Sequence, residues 1–342
     1  MTRLVFVTQR IDPDDPNLAA AVPMVAALAR RVDEVVVLAL EARSAQLPAN
    51  VGVRTFGART RVGRGLRFAR ALATELRGRP DAVVAHMSPI YAVLAAPLAR
   101  PRGTKVVLWF THWRRSRLLA LAERLSDAVV SVDERSFPLA SPKVRGIGHG
   151  IDVAQFPCTT RPDGPLRLLA LGRYSPAKGL DRIVRGVAAT DAELLVHGPC
   201  VTEEERRHRR ELGALVEDLG LGGRVRLEGP VPRADVPALL AGATALVNNM
   251  RAGAPDKVVY EAAASCVPVL ASNPVFDELF AGLELELAFA RERPEELAAR
   301  IEELAAADPE TVARVGLTLR ERVAERHSVD TWAAGVIAAA GL

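Results

Sequence analysis

Aromatic residues make up only 4% of this 342-residue chain, which excludes the stacking ladder that holds single-stranded nucleic acid; no nucleic-acid partner is expected. Cysteine is scarcer still. Cys158, Cys200 and Cys266 are too few and too scattered for a disulfide framework or a CxxC metal site, a usage that fits a reducing cytoplasm. No apolar run approaches the roughly 18 residues of a membrane span. The amino-terminal run Met1–Val7 lacks the apolar length and the cleavage site of a signal peptide. A cytoplasmic protein is therefore expected, not integral to a membrane. Lysine is nearly missing: Lys105, Lys143, Lys178 and Lys257 are the four among 45 basic residues, so each position that keeps lysine against the arginine bias is singled out.

What is present suits two globular domains of about 150 residues each. Apolar residues make up 49% and charged residues 25%, ordinary values for a folded chain. The net charge of +4 is unevenly spread. Residues 1–151 carry 23 Arg and Lys against 12 Asp and Glu, whereas residues 152–342 carry 22 against 29, so the halves face different partners.

Short apolar runs alternate with helical spacing, the pattern of α/β layers on parallel sheets. Strands are expected at 3–8, 34–40, 82–85, 105–110, 128–132 and 144–147, with a helix over 17–31. A Pro/Gly-rich stretch at 156–165 interrupts the periodicity. Strands then return at 166–171, 193–197, 225–228, 245–248 and 267–271, between helices at 179–189, 202–219, 236–242 and 258–264. Thr202 and Glu205 form a capping box, and helices follow at 295–306 and 310–326 before an apolar tail at 332–342. The expected organisation is an amino-terminal domain over 1–152, a linker over 153–165, a second domain over 166–325 and a helical tail over 326–342 that packs back on the first domain. Ligands in such sheets bind outside the carboxyl ends of the strands, which places the expected site in a crevice between two doubly wound domains.

Two segments carry the chemistry. In the first, a strand delivers Gly172 and Arg173, then a short loop leads to Lys178 and Gly179 at a helix start. Glycine permits close backbone approach, and a guanidinium with an ammonium beside a helix amino terminus suits a diphosphate. An ordinary strand–helix turn with solvated charges has the same spacing. In the second, a Gly/Pro loop over 251–256 precedes Lys257 and Glu261. A carboxylate one turn into that helix can accept both hydroxyls of a ribose, and Lys257 stands where a phosphate would meet backbone N–H groups. The alternative is a simple Glu–Lys pair on a helix surface.

Together these residues resemble glycosyltransferases of the GT-B fold, specifically retaining family 4, and the resemblance spans nearly the whole chain. Ile147–Phe156 is similar to that family's inter-domain signature; Gly172, Arg173, Lys178 and Gly179 to its diphosphate signature; Tyr260, Glu261 and Ala262 through Pro268 and Val269 to its ribose signature. The resemblance implies two Rossmann-like domains facing a central cleft. It implies transfer of a sugar from a nucleoside-diphosphate sugar to an acceptor hydroxyl, with same-face attack assisted by a donor phosphate oxygen and no metal or other cofactor. Arg173 and Lys178 would neutralise the diphosphate, Glu261 would hold the ribose, and the turn from Gly229 to Val231 would border the base. Family members commonly carry a glutamate eight residues before the ribose glutamate; here that position is Gly253, and the pair Asp256–Lys257 resembles a bacterial subgroup. A catalytically silent, nucleotide-binding member of the fold is the alternative. An NAD-type oxidoreductase is a second rival, against which the absence of a G-x-G-x-x-G after the first strand at Thr8–Asp12 argues strongly.

In the first half, strands run into His86 and His112. The family places a histidine like His112 near the reacting sugar, so His112 is the catalytic candidate, with His149 weaker. Asp12, Asp14 and Asp15 follow the first strand and, with His86, are expected to contact the acceptor, a small molecule or a lipid-linked glycan, rather than a metal. The basic amphipathic stretch Arg59–Arg79, with Arg114, Arg115 and Arg117, suits peripheral contact with the inner face of an anionic membrane; a solvated face is the plainer reading.

Overall fold

The computed structural model describes residues 1–15, 18–158, 164–253 and 255–342. Pro16 and Asn17, the latter the expected start of the first helix, lie outside the described residues, as does 159–163 of the expected linker. The chain divides into two compact units, Met1–Asp152 with Arg326–Leu342, and Val153–Glu325.

Unit 1 runs β1 (Arg3–Ile11), α1 (Ala21–Ala29), β2 (Glu34–Ala42), β3 (Val51–Thr55), α2 (Arg61–Glu75), β4 (Ala82–His86), α3 (Pro89–Ala99), β5 (Lys105–Trp109), α4 (Arg117–Leu125), β6 (Ala128–Ser131) and β7 (Val144–Gly146). The seven strands are all parallel, in the order β3-β2-β1-β4-β5-β6-β7. Inner strands of such a sheet are covered on both faces, which is why they read as unbroken Val/Leu/Ala runs instead of alternating. On one face Val5, Val7, Val83, Val106 and Leu108 pack against Phe68 and Leu72 of α2, Tyr91 and Ala95 of α3, and Leu119 of α4. β1 continues past Thr8 to Ile11, and β5 stops one residue short of Phe110.

Unit 2 runs β8 (Arg167–Leu171), α5 (Leu180–Ala188), β9 (Glu193–His197), α6 (Glu203–Asp218), β10 (Val225–Glu228), α7 (Val236–Ala241), β11 (Ala245–Asn248), α8 (Lys257–Ala264), β12 (Val269–Ala271), α9 (Asp277–Phe280), α10 (Pro294–Ala306) and α11 (Pro309–His327). Its five strands are parallel, in the order β10-β9-β8-β11-β12. The unit boundary falls inside α11, and α12 (Val329–Ala340) belongs to unit 1. There the buried Trp332 meets Phe6 and Trp109 edge-on, at 6.3 and 5.9 Å between ring centroids. The capping box at Thr202 and Glu205 is present in full, with both reciprocal hydrogen bonds made.

One expectation is overturned: Cys158 and Cys266 form a disulfide across 108 residues, their Cα atoms 5.0 Å apart. Cys158, two residues after Phe156, lies beside Cys266, two residues past the end of α8, so two cysteines remote in sequence become neighbours. Cysteine usage therefore no longer points to a reducing compartment. Cys200 is unpaired. Among the described residues no helix is long and apolar enough to cross a membrane.

Candidate functional site

In each doubly wound sheet the strand order reverses at one place, between β1 and β4 in unit 1 and between β8 and β11 in unit 2. The chain leaves these two strands in opposite directions, which opens a gap at their carboxyl ends where a ligand can sit.

In unit 2 that gap gathers the diphosphate candidates. β8 is followed directly by Gly172, whose φ of +135° favours glycine, and a Cβ there would stand 2.6 Å from Lys178 Nζ. The ammonium thus lies over the end of β8. It is paired with Asp256, whose Oδ2 also accepts from Asn248 Nδ2 at 2.9 Å. Lys178 itself occupies a 3-10 turn, Pro176–Lys178, and Gly179 at φ +55° is the residue from which α5 starts. Arg173 is 53% exposed and reaches Glu205 at 3.3 Å.

Glu261 is almost wholly buried and is not the surface partner of a simple Glu–Lys pair. Arg233 grips both its oxygens, at 2.7 and 2.9 Å, and Lys257 Nζ lies 3.0 Å from Oε1. Burial opposes ionisation of this carboxyl, but Lys257 and Arg233 outweigh it and hold its pKa down at about 2. Arg233 in turn stacks over the buried ring of Phe156, 5.4 Å from its centroid. Gly229 and Val231, in the turn after β10, are half-buried, and the Gly229 carbonyl lies 3.0 Å from His197 Nδ1.

Four site residues were not anticipated: Arg233, Glu205, Asn248 and Asp256 as the partner of Lys178. Arg233 lies two residues beyond Val231, and the turn from Gly229 to Val231 is its sequence signal. Glu205 carries the sequence signal of a helix cap, which says nothing of a cation partner.

In unit 1, His86 ends β4 at its switch point but is buried, with Nδ1 3.1 Å from Thr8 Oγ1. Burial first, and then the neighbouring His149, push its pKa down to about 3, so it is neutral at physiological pH. This buried ring, braced on Thr8, supports the strand ends. Asp12 and Asp15 are likewise buried: Asp12 accepts the Asp14 N–H at 3.0 Å and pairs with Arg43 at 3.3 Å, and Asp15 pairs with Arg10 at 2.9 Å and accepts from Leu18 N–H. Asp14 is exposed. Among the described residues no group of His, Cys, Asp and Glu has the arrangement of a metal site.

His112 lies three residues past β5, its ring stacked on Trp113 at 5.3 Å, with Nδ1 accepting the Arg114 N–H at 2.9 Å. That bond assigns the proton of the neutral ring to Nε2. The stretch Arg59–Arg79 contains α2, capped by Thr60, which turns Phe68 and Leu72 inward. Its outer face leaves Val62 and Leu66 75% and 64% exposed among Arg59, Arg61, Arg67 and Arg70. Trp113, Leu118 and Leu121, with Arg114, Arg115 and Arg117, repeat this mixture at the start of α4. Between Arg43 and Ala122 the only carboxylates are Glu75 and Asp81. Glu75 is buried against Arg3 and Arg54, and Asp81 accepts the Arg3 backbone N–H.

Residues 154–322 match the family described as glycosyl transferases group 1. No curated protein matches the sequence significantly. Among solved structures, a sucrose-phosphate synthase from Thermosynechococcus elongatus is similar over 99% of this chain and 98% of its own, with 16% identity and a TM-score of 0.79. HepE from Anabaena, in complex with UDP and glucose, is similar over 99% of both chains, with 17% identity and a TM-score of 0.76. A glycosyltransferase from Rickettsia africae covers 99% and 97%, with 12% identity and a TM-score of 0.78. At such identities the likeness establishes the fold, two parallel-sheet α/β domains with GT-B glycosyltransferases as structural neighbours.

Proposed function

We propose that this chain is a group 1 glycosyltransferase, of retaining family 4, that moves a sugar from a nucleoside-diphosphate sugar to an acceptor hydroxyl. The observation that carries the reading is the set of cations at the switch point of the unit 2 sheet, Arg173, Lys178 and Lys257, with Glu261 beside them on α8. These residues fall within the family match. The UDP bound by HepE makes UDP the first donor nucleotide to test.

In this reading the bond from the sugar C1 to the diphosphate oxygen breaks with its electron pair, and the acceptor oxygen bonds C1 on the same face. The acceptor proton passes to a donor phosphate oxygen. Arg173 and Lys178 stabilise the charge that develops on the departing diphosphate, Glu261 holds the ribose, Lys257 meets a phosphate, and Gly229 and Val231 border the base. His112 positions the donor sugar through its Nε2 proton. No metal is required, since cations of the chain meet the diphosphate. The basic, apolar outer faces of α2 and α4 favour an acceptor carried on an anionic membrane, and exposed Asp14 is the acidic residue left to meet it.

Gly253 favours one second reading, a silent nucleotide-binding member. It stands where relatives of the resembling family carry a glutamate for the donor sugar, and its carbonyl accepts from Asn273 Nδ2 at 3.4 Å.

The test is a thermal-shift screen over UDP, GDP, ADP and dTDP, followed by calorimetry of Arg173→Ala and a donor-hydrolysis assay with the nucleotide that binds. One nucleotide should raise the melting temperature, and Arg173→Ala should weaken it by on the order of 1.5 to 3 kcal/mol. Wild-type affinity in the variant would refute the assignment. Binding without hydrolysis or transfer would favour the silent member.

A further inference from the structure

The cations assigned to the diphosphate are not waiting in solvent. Arg173 is held by Glu205, Lys178 by Asp256 and Lys257 by Glu261, so each is already neutralised by a carboxylate of the same unit. A diphosphate that takes over these cations must compete with the carboxylates, and the cost of that exchange depends on what each carboxylate keeps. Glu205 retains the N–H groups of Val201 and Thr202 at 2.6 and 3.1 Å, and Glu261 retains the two-pronged grip of Arg233. Asp256 retains Asn248 Nδ2.

The three differ in exposure. Glu205 and Glu261 are buried, whereas the Asp256 side chain is 21% exposed, so water can replace a lost ammonium there and nowhere else as readily. Lys178 is 15% exposed, and its other close polar neighbour is the Leu171 carbonyl at 3.5 Å. Without a carboxylate, an ammonium in that position would swing outward to recover its hydration.

We propose that Asp256 is a positioning residue that stands in for the diphosphate: it holds Lys178 over the end of β8 in the empty site and surrenders it when the donor arrives. This rests on the donor reading given above and deepens it. Two effects follow from one ion pair. The ammonium is pre-placed, so the incoming diphosphate need not order a long side chain. The ligand must also compete with Asp256, which weakens the hold on the nucleoside diphosphate left after transfer and speeds its release.

The test is calorimetry of UDP and of inorganic pyrophosphate with the wild type, Asp256→Asn, Lys178→Ala and the double variant, each confirmed folded by circular dichroism. Asparagine keeps an oxygen that accepts from the Lys178 ammonium and removes only the competing charge, so Asp256→Asn should bind both ligands about tenfold more tightly, with slower UDP release, and the gain should vanish in the Lys178→Ala background. Unchanged or weaker binding in folded Asp256→Asn, or a gain that survives loss of Lys178, overturns the proposal. Should Asp256→Asn fail to fold, Asp256→Ser carries the same expectation. With only four lysines in the chain, the Lys178 ammonium can also be followed in the wild type by nitrogen NMR. An unchanged Lys178 signal at saturating pyrophosphate overturns the exchange. If the wild type binds pyrophosphate but none of the four nucleotides, while Asp256→Asn still gains on pyrophosphate, the donor reading fails and the exchange stands. If no variant binds either ligand, both fall.

Discussion

Replacing Arg233 by methionine keeps most of the side chain's length against Phe156 and removes the charge that grips Glu261. In the folded protein Glu261 titrates at about 2, against 4.5 for an unperturbed glutamate. That depression corresponds to on the order of 3 kcal/mol. Burial acts against ionisation, so Lys257 and Arg233 supply more than that between them. Because Glu261 is nearly inaccessible to water, solvent screening does not dilute the value. Lys257 remains in the variant, and Arg233→Met is expected to destabilise unit 2 by about 2 to 3 kcal/mol at pH 7. The pH dependence has a definite sign. A carboxyl whose folded pKa is depressed contributes stability that is full above pH 4.5 and is lost as the pH falls towards 2. The gap between wild type and variant should therefore be widest at neutral pH and close over that window. All three tryptophans, Trp109, Trp113 and Trp332, lie in unit 1. Urea unfolding followed by tryptophan fluorescence reports that unit, while far-ultraviolet circular dichroism reports both. The variant should move the dichroism transition more than the fluorescence one. A loss below about 0.5 kcal/mol at pH 7, or an equal loss at pH 7 and pH 3, would refute the reasoning.

Unit 1 should weaken in mild acid for a different reason. Burial, and then the neighbouring His149, lower the pKa of both His86 and His327 to about 3 from 6.5; their stabilising neutrality is complete above pH 6.5 and lost below it, at about 2 kcal/mol per histidine by pH 5. His86→Leu should flatten the fluorescence-detected stability profile between pH 7 and 5, and an unaltered slope would show that His86 does not titrate on unfolding. Reducing the Cys158–Cys266 bond releases a loop of 108 residues, a constraint worth up to about 4.7 kcal/mol in the chain-entropy model. Unit 2 in Cys158→Ser should unfold at lower urea than the oxidised wild type, and identical midpoints would mean that the bond adds nothing.

The two sheets and the Gly-Arg to Lys-Gly layout were legible because both are local signals: apolar runs between helical periods, and a strand feeding a glycine turn. The capping box at Thr202 is the same kind of signal, three residues long. What escaped was either featureless or distant. α3 is apolar on every side and shows no helical period, and β3 is an edge strand with a glycine at its second position. The partners of Glu261 and Lys178 come from Arg233, 28 residues earlier, and from Asp256, 78 residues later. No spacing rule connects such pairs. Nor does one connect Cys158 to Cys266, since the contact exists only in the folded unit. Sequence reading marked Arg173, Lys178, Lys257 and Glu261, but Glu205 and Asp256 as partners of Arg173 and Lys178 emerged only from the fold.

The unit boundary inside α11 sets an order of assembly. Unit 2 is one continuous stretch of chain, whereas unit 1 is split, its last helix being α12. Trp332, wholly buried against Phe6 and Trp109, supplies a ring that the core of unit 1 needs and that is made after all of unit 2. During synthesis, domains close as soon as their residues have emerged. The stretch made second can therefore finish before the stretch made first, which waits with the Phe6–Trp109 face of its sheet uncovered until α12 leaves the ribosome. A ribosome stalled before residue 329 would display an unfinished first unit beside a nearly completed second one.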